Sequence, residues 1–297
     1  MVPHKPSIFI KDAIFLSHTS LNDFTNCPRA YYLKNVYRDP EHGFRLQIAS
    51  PNISLGAVVH DVAKWYLEDL DKPSLVSAED KFRSLWWKFH GKRGGFASDE
   101  EEAVFGKRGL SMVANFIKNA GRLGKMAPFA NFPKYPLSNK IILTGNMDFV
   151  GELPDGTLLV IDFKTGVKDE KDPIQLYIYA ILSENYYQKP VTKASYWYLD
   201  REDTPREIIL EPTEKTLDWL KEKGLQIQEA IEKNEWVCPE GESLCRHCRN
   251  YQAIIEGKGE FMFTDHAFKK EVYYLAPQAL ETPMEDSGDN ATSANVL

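Results

Sequence analysis

Asp148, Asp162 and Lys164 are the densest group of chemistry-bearing residues in the chain. They lie in GNMDFVGELPDGTLLVIDFKTG, residues 145–166. Asp148 precedes Asp155 by seven residues and Asp162 follows it by seven. Pro154-Asp155-Gly156 is a strong turn signal between two apolar runs rich in β-branched residues. The segment therefore reads as a β-hairpin whose strands are KIILTGNMDFVGEL and TLLVIDFKTG. With the hairpin axis near Asp155, Asp148 and Asp162 oppose each other across the strands, where facing Cβ atoms are about 5 Å apart. Two carboxylates at that separation repel unless a positive charge lies between them. Strand alternation puts Asp162 and Lys164 on one face and Phe163 on the other. Such a face is either a solvated surface carrying Asp and Lys or a divalent-cation site. Hard oxygen ligands of this kind suit Mg²⁺ or Mn²⁺, which take one or two carboxylates together with substrate phosphates.

Two flanking stretches present further polar groups at helical spacing. In SLGAVVHDVAKWYLEDL, residues 54–70, apolar residues recur at helical intervals, and His60 sits one turn after Gly56 and one turn before Lys64. A lone helical histidine is usually structural or at the surface, but Gly56 leaves room for another backbone to come close. After the hairpin, KDPIQLYIYAILSENYY offers Asp172 as an N-cap and Pro173 as the first helical residue. Gln175 and Tyr179 are four apart and share a face; Tyr179 taken alone is equally consistent with core.

The four cysteines are split between the chain's two ends. Cys27 lies in SLNDFTNCPRAYYLKNVYR, and Cys238, Cys245 and Cys248 form CPEGESLCRHC. Clusters of this type bind a metal more often than they form disulfides in a reducing compartment. Four thiolates suit a structural zinc or an iron–sulfur cluster, and spacing alone does not choose between these or free thiols.

The chain has 297 residues, 43% of them hydrophobic, and a net charge of −7. That is enough for one large or two small domains. Its apolar runs fall short of a membrane span and residues 1–12 show no cleavable signal, so a soluble, cytoplasmic protein is expected, or one in the host cytoplasm if phage-encoded. The acidic balance argues against a broad nucleic-acid-coating surface. Residues 281–297 hold four acids and no Lys or Arg and read as a disordered tail. Residues 75–128 read as helices mixing Lys and Arg with aromatics. They suit either a phosphate-contacting, base-stacking channel or a core of Trp86, Trp87 and Phe89 with solvated lysines. VTKASYWYLDREDTPREIIL reads as a second hairpin, and TEKTLDWLKEKGLQIQEAIEKNEW as an amphipathic helix leading to the cysteines. There is no phosphate-binding glycine loop and no helicase motif.

In order, LGAVVH, GNMDFV, IDFKTG and QLYIY resemble the RecB-type branch of the PD-(D/E)XK nuclease superfamily: a helix with His, a strand with Asp, a strand with Asp/Glu-x-Lys and a helix with Gln-x-x-x-Tyr. The likeness covers residues 54–180. It implies an α/β restriction-endonuclease-like core, a central mixed sheet flanked by helices, with a helical insertion near 75–128. It further implies that His60, Asp148, Asp162 and the Phe163 backbone carbonyl ligate Mg²⁺ or Mn²⁺, that Lys164 is the catalytic lysine, and that Gln175 and Tyr179 place substrate. Asp148 and Asp162 count among the catalytic residues by the same likeness. TSLNDFTNCPRAYYL and LCRHC are also similar to the iron–sulfur branch, which includes the CRISPR-adaptation exonucleases and the AddB subunit. There Cys27, Cys238, Cys245 and Cys248 would hold a [4Fe–4S] cluster that staples the chain ends. The usual last cysteine after the Cys-x-x-Cys pair is missing here, and Cys238 precedes the pair instead. His247 is a substitute ligand in principle, although a histidine between two ligating cysteines usually points away. The implied domains are an N-terminal segment 1–53, a nuclease core 54–210 and a C-terminal helix and cysteine cluster 211–280. The implied activity is metal-dependent DNA hydrolysis, as an exonuclease on single strands or ends in recombination, repair, phage or CRISPR-adaptation processing, with helicase, recombination or CRISPR-adaptation proteins as partners. The alternatives are a non-catalytic DNA-binding or assembly subunit and an RNA-directed nuclease on the same scaffold.

Overall fold

The computed structural model describes residues 13–277 apart from 70, 129 and 212; the expected acidic tail lies outside the described residues. In chain order the strands are β1 (Ile14–Leu16), β2 (Arg45–Ile48), β3 (Lys125–Met126), β4 (Lys134–Pro136), β5 (Ile141–Thr144), β6 (Phe149–Glu152), β7 (Leu158–Lys164), β8 (Val191–Tyr198), β9 (Arg206–Ile208), β10 (Glu260–Asp265) and β11 (Lys270–Tyr274). The helices are α1 (His18–Asn26), α2 (Pro28–Tyr31), α3 (Pro51–Glu68), α4 (Leu75–Trp86), α5 (Asp99–Asn119), α6 (Ile174–Tyr187), α7 (Glu214–Lys233) and α8 (Arg249–Ile255). None of the described helices is long and apolar enough to cross a membrane.

The central sheet has the order β3-β6-β7-β8-β9. It is mixed: β7 and β8 run parallel, joined through α6, and the other neighbours are antiparallel. β7 is buried on both faces, which explains its unbroken apolar run. Leu158 and Val160 pack with α1, α6 and α7 through Leu21, Leu176, Ile178, Leu182 and Leu220. Ile161 and Phe163 pack on the opposite face with α3, α4 and α5 through Val59, Phe82, Met112 and Phe116. This is the α/β layering that the sequence implied, and both layers press on the strand that carries Asp162 and Lys164.

The first hairpin strand departs from expectation. KIILTGNMDFVGEL is two strands, not one. β5 belongs to a separate sheet, parallel to β1 and antiparallel to β4, and only β6 pairs with β7. The break falls at Gly145, where a Cβ would stand 3.2 Å from Leu182 Cδ1 and 3.4 Å from Tyr179 Cε1. The chain can bend closely over α6 because nothing projects there. The bend leaves Asp148 just outside the ladder, with its carboxylate free for other partners.

The second hairpin (β8–β9) and the amphipathic helix (α7) form as expected. Helix α6 starts one residue late, at Ile174. Asp172 still accepts from the Ile174 N–H at 2.9 Å, so the cap works one position earlier than expected. In the helical insertion, Trp86 stacks on Phe82 with ring centroids 5.4 Å apart and Phe89 is half-buried. Trp87, by contrast, is 73% exposed and is not core. A third sheet, β10-β11-β2, ties the C-terminal region back to the N-terminal segment, with β11 and β2 parallel.

Candidate active site

The β6–β7 ladder pairs Phe149 with Ile161 and Val150 with Val160. Continued by one position, this register sets Asp148 opposite Asp162, as an axis at Asp155 requires. Asp162 and Lys164 face α6 because they share parity with Val160 on β7. Phe163 turns into the α3–α5 layer, with its ring against Phe116 and Trp197. His60 reaches the end of the sheet from α3. Its neighbour Gly56 would place a Cβ at an ordinary 3.4 Å from Thr165 Oγ1, so the close approach expected there involves a side chain and would tolerate alanine.

The side chains converge into one polar network. Asp148 Oδ1 lies 2.8 Å from His60 Nδ1, and Asp148 Oδ2 accepts from the Phe163 backbone N–H at 2.8 Å. Gln175 Nε2 donates to Asp162 Oδ1 at 2.7 Å and to the Tyr179 hydroxyl at 2.9 Å, while Gln175 Oε1 accepts from Lys164 Nζ at 2.7 Å. Lys164 Nζ also stands 3.0 Å from Asp162 Oδ2 and 3.0 Å from Glu170 Oε1. The first of these contacts is an ion pair without hydrogen-bond alignment, and Asp162 Oδ2 is buried with no hydrogen-bond donor. A carboxylate oxygen met only by this misaligned ammonium, in a residue only 3% exposed, is incompletely satisfied and costly. With a second carboxylate opposite, the donor set fits a hard divalent cation.

The charges are mutually strained. Burial, then the neighbouring Asp148 charge, push the Asp162 carboxyl up to about 7, against the pull of Lys164 and His60. Burial works against a charged His60, but the charge and hydrogen bond of Asp148 outweigh it and push the imidazole up to about 9. Burial also opposes the Lys164 ammonium, yet Asp162 and Glu170 hold its pKa above the usual lysine value. At neutral pH Lys164 is therefore a cation, suited to stabilising negative charge and unsuited to accepting a proton.

Several contributors were not foreseen. Glu170 anchors Lys164 from the loop after β7, and its N–H donates to Tyr198 Oη at 2.8 Å. Arg108 of α5 pins the same loop by donating to the Thr165 carbonyl at 3.0 Å, and Arg201 pairs with Asp169. The acid six residues after Lys164 was a signal in the sequence, but loop closure was not. His18, at the start of α1, is near enough for Lys164, Glu170 and Asp172 to act on it. Burial, aided by Lys164, pushes its imidazole down.

The four cysteines, all buried, come together from the two chain ends, and their sulfurs lie within 4.8 Å of one another. Cys248 Sγ is 3.6 Å from Cys238 Sγ and 3.7 Å from Cys245 Sγ, far beyond a disulfide bond. Backbone N–H groups of Ala30 and Cys245 point at Cys27 Sγ and Cys238 Sγ, at 3.4 and 3.2 Å. Burial opposes ionisation of Cys238, but the backbone N–H groups of Cys245 and Glu240, with the neighbouring Cys248 and Cys245 thiols, outweigh it and lower its thiol to about 7. Cys238 completes the group of four, and no cysteine follows the Cys245–Cys248 pair. His247 stays outside it, with Nε2 accepting from Arg246 at 3.2 Å.

Compared with known families, residues 15–253 match the model described as PD-(D/E)XK nuclease superfamily. No curated protein matches the chain.

Proposed function

We take as premise that the chain belongs to the PD-(D/E)XK nuclease superfamily, and propose that it is a RecB-type, Mg²⁺- or Mn²⁺-dependent deoxyribonuclease acting exonucleolytically on single strands or DNA ends. Membership makes it a metal-dependent nuclease, and nucleic acid its substrate. The observation that carries the residue assignment is the Oδ2 of buried Asp162, opposite Asp148, which lacks a hydrogen bond and has only the charged Lys164 beside it. Asp148, Asp162, the Phe163 carbonyl and His60 would hold the ion. When bound, the ion polarises the scissile phosphate and lowers the pKa of its water.

The protein's own groups then have distinct tasks. Lys164 meets the negative charge that grows on the phosphate, or orients the attacking water. Gln175 holds Lys164 and Asp162 in fixed relation, and Tyr179 fixes Gln175 from one helical turn away. Glu170 keeps Lys164 at the site before substrate arrives and competes with the phosphate for it. Ligation requires the Asp162 and His60 protons to leave, so binding of the ion strengthens as pH rises.

The cysteines form a thiolate-bound metal centre that ties Cys27 to the C-terminal trio. The resemblance to the iron–sulfur branch favours a [4Fe–4S] cluster. One observation favours a single zinc: thiolates at about 2.3 Å from a tetrahedral ion stand about 3.8 Å apart, and the Cys248 separations of 3.6 and 3.7 Å agree. Iron, zinc and sulfide analysis of anaerobically purified protein decides between them.

The activity is tested with labelled single-stranded DNA, duplex DNA and RNA of one sequence, with free or blocked ends, in Mg²⁺, Mn²⁺ or EDTA. Metal-dependent shortening of single-stranded DNA from a free end supports the proposal. Preferential RNA cleavage, cleavage of blocked circles, or binding without turnover would replace it with the corresponding alternative.

A further inference from the structure

The turn before β2 and the strand β11 bring a third set of metal-ligating side chains together, apart from the hairpin carboxylates and the cysteines. Asp39, His42 and Glu271 offer ligand atoms that all lie within 4.8 Å of one another. Glu271 is decisive. Its side chain is only 2% exposed, a burial that carboxylates rarely accept without compensation. Its Oε2 accepts from Thr264 Oγ1 on β10 at 2.8 Å. Its Oε1 is buried without a hydrogen-bond donor, although His42 Nδ1 approaches within 3.1 Å. The imidazole is close but not aligned to donate. The two atoms stand at ion-pair distance without a hydrogen bond between them, a spacing that two ligands of one centre also take.

The backbone prepares the third ligand. The Asp39 N–H donates to the Phe44 carbonyl at 2.7 Å, and Gly43 returns a bond to the Asp39 carbonyl at 2.8 Å. Gly43, at φ +69°, supplies the left-handed residue this closure needs. Asp39 Oδ1 accepts from the N–H groups of Glu41 and His42 and lies 4.0 Å from His42 Nδ1. Parallel pairing of β2 with β11, Leu46 opposite Glu271, fixes the turn over Glu271.

We propose that Asp39, His42 and Glu271 bind a Zn²⁺ ion that clips the N-terminal segment to the C-terminal β10–β11 hairpin. One imidazole nitrogen and two carboxylate oxygens match the donors that zinc takes at about 2.0–2.2 Å. Ligands at such distances stand about 3 Å apart when adjacent in an octahedron, about 3.3–3.6 Å apart in a tetrahedron and about 4 Å apart when opposite in an octahedron, a range that holds both the 3.1 and the 4.0 Å separations. A dication with two carboxylates and a neutral imidazole is charge-balanced, which answers the unmet Glu271 oxygen. The ion joins positions 42 and 271, as the cysteines join position 27 to 238–248. Two clips in sequence would hold the chain ends against each other.

The test is Zn²⁺ titration of the full chain with its cysteine-bound metal retained, in an Asp148→Asn/Asp162→Asn background that removes the hairpin carboxylates. His42→Ala and Glu271→Gln are compared with that parent by calorimetry, retained zinc and melting temperature. His42, 42% exposed, can be truncated without opening the core. The parent should bind one zinc equivalent that raises its melting temperature, and both variants should lose affinity by more than the about 10–100-fold typical of removing an outer hydrogen-bond partner. The cysteine-bound metal should remain constant throughout. Equal zinc affinity and equal stabilisation in the parent and His42→Ala would overturn the site, as would failure of the parent to bind the extra equivalent. If Glu271→Gln does not fold, His42→Ala alone decides.

Discussion

Asp162→Asn should make the metal-free protein more stable above neutral pH while destroying its activity. Burial and Asp148 raise the Asp162 carboxyl from its ordinary 3.8 to about 7. The folded carboxyl thus binds its proton more tightly than the unfolded one. Its contribution to stability is full below about pH 4 and is lost as pH rises to about 7. Over about three pH units, at roughly 1.4 kcal/mol each, the loss is on the order of 4 kcal/mol at pH 8 and less than half of that at pH 5. Asparagine carries no charge and can still accept from Gln175, so it escapes the loss. In EDTA the variant should gain on wild type by about 2–3 kcal/mol more at pH 8 than at pH 5. For a chain of this size that is several degrees of melting temperature, at roughly 2–4 °C per kcal/mol. Mg²⁺ should reverse the order at pH 8 by stabilising only the wild type, because it binds the carboxylate pair. Urea or thermal melts at the two pH values, with and without Mg²⁺, supply the measurement. A variant less stable than wild type at pH 8 in EDTA, or a difference that ignores pH, would refute the view of Asp162 as a strained, metal-awaiting carboxylate.

Lys164→Ala should lower kcat by about 10²–10³-fold while Mn²⁺ still binds in calorimetry; loss of binding would place the lysine's role at the ion. Cys27→Ser should release the thiolate-bound metal and destabilise the fold, since a closure between positions 27 and 238 is worth about 5 kcal/mol on the chain-entropy model; denaturation and metal analysis check this, and an unchanged, metal-retaining variant would remove the staple. Trp87→Ala should weaken single-strand binding by about 1–3 kcal/mol, the worth of one base–aromatic stack, with kcat on saturating substrate preserved. Trp87 is 73% exposed, beside a Trp86 that packs on Gly106 of the same helix that sends Arg108 to the catalytic loop; unaltered binding in a fluorescence titration would leave Trp87 out of the interface.

The parts of this molecule that were legible in the sequence are those set by local periodicity and turn chemistry. Pro154-Asp155-Gly156 fixed the hairpin axis, and two-residue alternation then assigned Asp162, Phe163 and Lys164 to their faces. The interval of four between Gln175 and Tyr179 likewise placed them on one face, where the structure joins them by a hydrogen bond. What stayed hidden depends on contacts distant in the chain. The bend at Gly145 follows from helix α6 passing beneath it, and no local pattern announces that. Glu170 sits in a loop without periodicity, held by Tyr198, Arg108 and its neighbours' bonds to Arg201. The Asp39–His42–Glu271 group needs the parallel pairing of strands more than 200 residues apart. The β10–β11 hairpin has a visible signal in EFMFTDHAFKKEVYY, two aromatic-rich runs around a polar turn.

The central claim is that one divalent ion, held between Asp148 and Asp162, drives phosphodiester cleavage. Its most direct test is anomalous diffraction from crystals soaked in Mn²⁺. A peak should lie about 2.1–2.4 Å from carboxylate oxygens of both Asp148 and Asp162, and be absent in Asp162→Ala crystals of a protein that no longer cleaves. A peak elsewhere, with none between these two aspartates in a crystal of active protein, would contradict it.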